Sequence, residues 1–118
     1  MGDFQKLRVW KRAKNLAVSI YKTTEKGPFL KDYGLKDQIR RSAVSIPSNI
    51  AEGDELGTNR QAIKFFHISK GSVAELINLA IIAQEIDYFT KPQFDEIKEE
   101  CLAISSMLAK LIQVRAKD

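Results

Sequence analysis

The chain has one cysteine, one histidine, one tryptophan and three prolines among 118 residues. A single cysteine makes no intrachain disulfide, so a secreted disulfide scaffold is excluded and a reducing, cytoplasmic location is expected. A single histidine leaves a zinc site without its usual ligands, and no metal or other cofactor is expected. The longest mostly apolar stretch, Leu76 to Ala83, is interrupted by Asn78 and is far too short to span a bilayer. No secretory leader pattern is read. Met1-Gly2 resembles a myristoylation start, but Lys6 stands where Ser or Thr is needed, so no membrane partner is expected. No run of like charge is long enough to form a polybasic tail. Strand-like alternation of Val, Thr and Tyr is missing. What remains is 44% hydrophobic and 29% charged, an ordinary globular composition. The expectation is one soluble domain over residues 1–118.

Charge is present but unevenly placed. Residues 1–60 carry 12 Lys/Arg against 7 Asp/Glu, and residues 61–118 carry 7 against 8. Before residue 25, six cations (Lys6, Arg8, Lys11, Arg12, Lys14 and Lys22) face only Asp3.

Apolar periodicity predicts four helices. The first spans about residues 4–25, with Leu7, Trp10, Ala13, Ala17, Ile20 and Tyr21 on one face. Gly27-Pro28 ends it. The second starts after Gly34, with Leu35, Ile39, Ala43, Ile46 and Ile50 in phase across Pro47. Because the pattern resumes beyond Pro47, a kink is expected there rather than a stop. Gly53 and Gly57 are expected to bracket a loop. Thr58 is an N-cap for a third helix over about 59–87. Thr90 and Pro92 open a fourth. Its seam of Phe94, Ile97, Cys101, Ile104, Leu108 and Leu111 has the a/d period of left-handed helix packing. Short connections make this an all-α, up-down-up-down four-helix bundle.

Helices 2 and 3 carry more than one bundle needs. Apolar residues from Ala62 to Ile86 surround most of the helix 3 axis, leaving a narrow stripe through Arg60, Lys64, His67, Gly71 and Asn78. Helix 2 has a second stripe of Gln38, Arg41, Ser45, Asn49 and Glu52. Large apolar patches are rarely left exposed on monomers, so a homo-oligomer is expected.

Candidate chemistry is sparse. Arg8, Lys11, Arg12 and Lys22, with Asn15 and Ser19 between them, fall within roughly 100° of arc opposite the apolar face of helix 1. Such a face suits phosphate contacts to RNA or DNA, with Arg60 and Lys64 as further cations. A ring-like assembly would multiply its field. Arg40 and Arg41 are expected to pair with Glu52 in a structural network. Trp10 and Tyr21 are read as core anchors. Cys101 lies in the apolar seam, where a thiol is protonated, so no Cys101–His67 dyad is expected. A di-iron bundle site needs Glu-x-x-His pairs, and Lys64 precedes His67 by three. The pairs Asp54-Glu55 and Glu99-Glu100 do not converge on a cleft. No nucleophile–base pair, metal set or phosphate loop is visible, so enzymatic activity is not expected. The alternative to nucleic-acid binding is an oligomeric scaffold or adaptor for a protein partner.

The segment from Tyr33-Gly34-Leu35 through Gln38, Arg41, Ser45, Asn49-Ile50-Ala51-Glu52-Gly53 resembles the signature of the bacterial 23S rRNA intervening-sequence protein family, also called the four helix bundle protein family. Leu7-Arg8-Val9-Trp10 with Ala13 is similar to the family's opening motif. Phe66 to Leu76, with Lys70-Gly71-Ser72 and Glu75-Leu76, is similar to a third. Ser69 departs from the commoner Ala. The resemblance implies a bundle assembled into a ring, typically a pentamer, with no established enzymatic activity. It also implies kinship with the accessory protein of diversity-generating retroelements, which binds nucleic acid and partners a reverse transcriptase. The signature residues Gln38, Arg41, Ser45, Asn49, Glu52, Gly53, Gly71, Ser72 and Glu75 are read as folding and assembly residues. Gly71 and Ser72 are expected to permit close helix approach.

Overall fold

A computed structural model describes residues 3–56 and 58–117. Met1-Gly2 and Gly57, invoked above for acylation and as a loop bracket, lie outside the described residues. Four helices occupy most of the chain: α1 Arg8–Thr23, α2 Tyr33–Glu55, α3 Asn59–Glu85 and α4 Lys91–Ala116. No strand occurs among the described residues. Successive helices pack side by side, and α4 returns to touch α1. The diagonal pairs α1/α3 and α2/α4 have no close backbone approach among the described residues; α4 reaches α2 only through a long side chain, Arg115 to Asp54. Cross-contacts give the directions. Ser69 and Ser72 of α3 meet Ile46 and Ser45 of α2; Arg12 of α1 meets Glu100 and Met107 of α4, while Thr23 at the other end of α1 shares a cleft with Gln93. Neighbours are therefore antiparallel, in up-down-up-down order, within a rod of 46 × 20 × 20 Å.

Helix α1 is shorter than its periodicity predicts. Phe4–Lys6 forms a separate 3-10 turn, N-capped by the Asp3 carboxylate. Leu7 is extended at φ −72°, ψ 125° and interrupts the helical run. Phe4 packs edge-on against Trp10 at 5.1 Å, so its apolar character serves the turn. The C-terminal end is fixed by Thr24, whose buried hydroxyl donates to the Ile20 carbonyl at 2.7 Å. Gly27 follows at φ +73°, a conformation natural to glycine. The buried face of α1 is Val9, Ala13, Leu16, Ala17 and Ile20. Trp10 is half-buried and packs against the edge of the core, whereas Tyr21 is exposed and is not the core anchor expected.

Helix α2 starts earlier than expected because Asp32 caps it, accepting from Leu35 N at 3.1 Å. It is continuous across the buried Pro47. It also runs past Gly53, which therefore does not bracket a loop. A Cβ at Gly53 would lie 2.8 Å from Phe66 Cε1 and 3.1 Å from both the Ala62 carbonyl oxygen and Phe65 Cβ. Glycine is required here because α2 and α3 approach too closely for any side chain.

Thr58 caps α3 by accepting from Gln61 N at 3.2 Å. Thr90 and Gln93 form a reciprocal capping box on α4. The α4 seam is as predicted: Ile97, Cys101, Ile104 and Leu108 are buried, with Phe94 and Leu111 packed at its ends. α3 is long and apolar enough, by length and composition, to cross a bilayer. The short run at Leu76–Ala83 understated this. In the bundle its buried side, including Ala62, Phe66, Val73, Leu76 and Ala80, packs into the core.

Candidate functional site

The outward face of α1 is basic. Arg8, Lys11, Lys14 and Lys22 are all exposed along it, with Asn15 and Ser19. Among the described residues none of these four cations has a carboxylate within 4.0 Å. The ion pairs present are Arg12–Glu100, Arg41–Asp37, Lys91–Asp95 and Arg115–Asp54. Lys14 joins Arg8, Lys11 and Lys22 on this face. It sits toward the α2 side, with Nζ 6.0 Å from the Trp10 ring centre.

Arg12 behaves differently. Its fork is committed to Glu100, with Nε donating to Oε1 at 2.8 Å and Nη2 to Oε2 at 2.9 Å. This bidentate geometry is the strong form of the arginine–carboxylate pair. The hydrogen bond to Glu100 raises the Arg12 pKa further above its usual value. The reciprocal bond holds the Glu100 carboxyl below the ordinary carboxylate range, against partial desolvation. The basic face thus has an acidic partner that α4 supplies from 88 residues away. The pair closes part of a cleft of about 310 Å³ between α1 and α4, lined also by Leu16, Ser19, Thr23, Glu96 and Ile97.

Arg60 and Lys64 are exposed on α3. Because α1 and α3 are diagonal in the bundle, one protomer does not bring these cations onto the α1 face.

The stripe on α2 resolves into two parts. Ser45 and Asn49 are half-buried at the α2–α3 seam. The Ser45 and Ser72 hydroxyls are hydrogen-bonded at 2.8 Å. Asn49 Nδ2 donates to the Ser45 carbonyl at 2.8 Å and to its Oγ at 2.9 Å. Beside them Ser69 Oγ donates to the Ile46 carbonyl at 2.9 Å, one residue before Pro47. Gln38, Arg41 and Glu52 are exposed, as is Glu75 of α3.

The expected Arg40/Arg41–Glu52 network does not form. Arg41 and Glu52 are eleven positions apart, a rise of about 16 Å along the helix, beyond side-chain reach. Arg41 pairs instead with Asp37 at 3.2 Å. Arg40 turns to α1, where Nε donates to Thr24 Oγ1 at 2.9 Å and Nη2 to the Tyr21 carbonyl at 3.1 Å. Gly71 is exposed, and a Cβ there would meet nothing within 4 Å. Within the protomer it is therefore not a site of close helix approach; Gly53 has that role.

Asp54, dismissed from sequence as one of two adjacent carboxylates, is 3% exposed. Its Oδ1 accepts from Arg115 Nη2 at 2.7 Å, and its Oδ2 has no partner among the described residues. Arg115 also lies over the Phe66 ring at 5.5 Å. The pair ties the last turn of α4 to the α2–α3 corner. Cys101 is buried, and burial pushes its thiol up to about 12. His67 is exposed on α3. No cluster of three or more His, Cys, Asp or Glu suited to a metal occurs among the described residues.

The sequence pattern of the 23S rRNA-intervening sequence protein family matches residues 5–110. The chain belongs to this family. A crystal structure of a protein with unknown function from the S23 ribosomal protein family of Bacteroides thetaiotaomicron superposes with a TM-score of 0.79. The two share 23% identity over 88% of this chain and 97% of that one, a likeness of fold. No curated protein matches. Of the signature residues read from the sequence, Ser45, Asn49, Gly53 and Ser72 lie at the α2–α3 seam, while Arg41 makes an exposed pair with Asp37. The four at the seam are building residues of the bundle.

Proposed function

We propose that this protein is a non-enzymatic, homo-oligomeric bundle that binds RNA or DNA through the outward face of α1, in the cytoplasm and without a membrane partner. The observation that carries the reading is the row of Arg8, Lys11, Lys14 and Lys22, exposed and without a carboxylate partner among the described residues. Unpaired cations on a rigid helix meet phosphates at little reorganisation cost, and each phosphate neutralised releases counterions. Arg12, held by Glu100, orients α1 on α4 rather than contacting phosphate. Assembly is supported by Val44 of α2 and by Ile68, Ile81, Ile82 and Ile86, which α3 and its C-cap leave exposed. It is supported too by Gly71. A glycine inside a 27-residue helix costs about 1 kcal/mol relative to alanine, and nothing within the protomer occupies the space over it. The family resemblance favours a ring, typically pentameric. In such a ring a neighbour could add Arg60 and Lys64 to the charged surface.

The exposed isoleucines also favour a second reading: a scaffold whose ligand is a protein, such as a reverse transcriptase. Salt separates the two. Labelled structured RNA and duplex DNA are titrated at two salt concentrations, with particle mass read by light scattering. The proposal expects an oligomer whose binding falls steeply with salt. An oligomer that binds neither nucleic acid at low salt contradicts it and favours the scaffold.

A further inference from the structure

A second basic surface lies where the last turns of α1 meet the first turns of α2. It is a cleft of about 480 Å³ lined by Tyr21, Tyr33, Lys36, Asp37, Arg40 and Arg41, within the size range of small-ligand sites. Two exposed tyrosine rings set it apart from the α1 face, and two of its cations lie against them.

Tyr33 is the first residue of α2 and is 72% exposed. Lys36, three positions on, holds its ammonium 5.2 Å from the ring centre. Tyr21 is 43% exposed. The Arg40 guanidinium lies 4.4 Å from its ring centre, held there by the bonds to Thr24 Oγ1 and the Tyr21 carbonyl. Arg41 completes the cationic lining. Asp37 pairs with it in an exposed contact at 3.2 Å, of the kind that contributes little and opens easily. Three cations against one carboxylate leave the cleft positive. Neither tyrosine carries core packing: both rings are exposed, and no hydrogen bond engages either hydroxyl among the described residues.

Exposed rings bordered by cations match the chemistry of an unpaired nucleotide. A base stacks on a ring face, and its phosphate is met by the adjoining lysine and arginine. A duplex keeps its bases stacked inside and cannot offer them to a cleft. We propose that this cleft is a single-strand site, in which an unpaired base of RNA or DNA stacks on Tyr33 while Lys36 and Arg41 take the flanking phosphate. This rests on the nucleic-acid reading above and adds to it a preference for unpaired segments, which the α1 phosphate contacts alone do not give.

The test is fluorescence anisotropy at low salt on the full chain, using a labelled single-stranded RNA and a duplex of the same sequence. Tyr33→Ala is expected to weaken the single strand roughly ten-fold and the duplex by less than about two-fold, since stacking on an aromatic side chain is worth that order. Tyr33→Phe, which keeps the ring, is expected to bind as the parent does. Exposure of Tyr33 makes both variants safe for folding. Tyr33→Ala without effect, or with equal effect on both ligands, overturns the inference, as does failure of Tyr33→Phe to bind. The double variant Arg8→Glu/Lys11→Glu reads the other surface. If it weakens both ligands while Tyr33→Ala weakens neither, the cleft inference falls and the α1 reading stands. If the parent binds neither ligand at low salt, both fall.

Discussion

The seam between α2 and α3 and the seam between α1 and α4 are closed by different means. At the first, Gly53 brings backbone against the Phe66 ring. Two hydrogen bonds, Ser45 to Ser72 and Ser69 to the Ile46 carbonyl, pair polar groups across this seam. At the second, α1 stands off α4 over a cleft of about 310 Å³, bridged by Arg12 and Glu100. Small groups and short hydrogen bonds allow only one spacing. An ion pair between long, half-exposed side chains allows several. The close seam holds Ser45, Asn49, Gly53 and Ser72 of the signature, and the open one carries the helix proposed to meet nucleic acid. The contacts that fix the α2–α3 spacing and the α1 cations proposed to meet phosphate therefore sit at different seams, and substitutions at the two should have different consequences.

The sharpest contrast is between two glycines. Gly53→Ala places a methyl group against Phe66 and the Ala62 carbonyl and is expected to cost about 2–4 kcal/mol, from overpacking where backbone must move. Gly71→Ala fills open space on the helix surface and is expected to stabilise the isolated protomer by up to about 1 kcal/mol. Thermal melts of both variants at matched concentration check the pair, and light scattering of Gly71→Ala shows whether that surface is used in assembly. A fall in stability with Gly71→Ala, at unchanged particle mass, would mean that the glycine serves the protomer after all.

Next in size is Asp54–Arg115. Arg115→Ala leaves a buried carboxylate without its cation and is expected to cost about 3 kcal/mol. Denaturant unfolding measures this. A loss below about 1 kcal/mol would show that Asp54 finds another partner.

The smallest effect belongs to the open seam. Arg12 and Glu100 are 43% and 33% exposed, so Glu100→Gln is expected to cost less than about 1 kcal/mol at neutral pH. Its pH dependence has a definite sign. The Glu100 carboxyl is held below its ordinary value of 4.5 in the folded protein. Its contribution is therefore full above that value and is lost as pH falls through the lowered one. The stability difference between parent and Glu100→Gln should shrink toward zero in acid. A difference that grows on acidification would contradict the pairing.

Much of the bundle was legible in the sequence. The four helices, the caps at Thr58 and Thr90 and the α4 seam all follow from local pattern, because capping and amphipathic period are short-range properties. The break at Leu7 was not legible, since Phe4 carries an apolar side chain that suits either a helix or a turn against Trp10. Gly53 looked like loop punctuation. Only its proximity to Phe66, thirteen positions away, reveals a packing requirement. Charge partners were the least legible feature. Arg12 finds Glu100, Arg115 finds Asp54 and Arg40 finds α1, all across helices. The one pairing expected along a single helix, Arg41 with Glu52, was ruled out by helical rise. The basic face could be drawn from a helical wheel, but which of its cations remain unpaired could not.

The most direct test of that division is the salt dependence of nucleic-acid binding by the parent protein and by Arg8→Glu/Lys11→Glu, each with its particle mass. The account predicts a linear fall of log affinity with log salt. The variant should lose about one unit of slope per phosphate contact removed, while its mass and melting temperature stay at the parent values. An unchanged slope in a folded, correctly sized variant would contradict the claim that α1 is the phosphate-binding face.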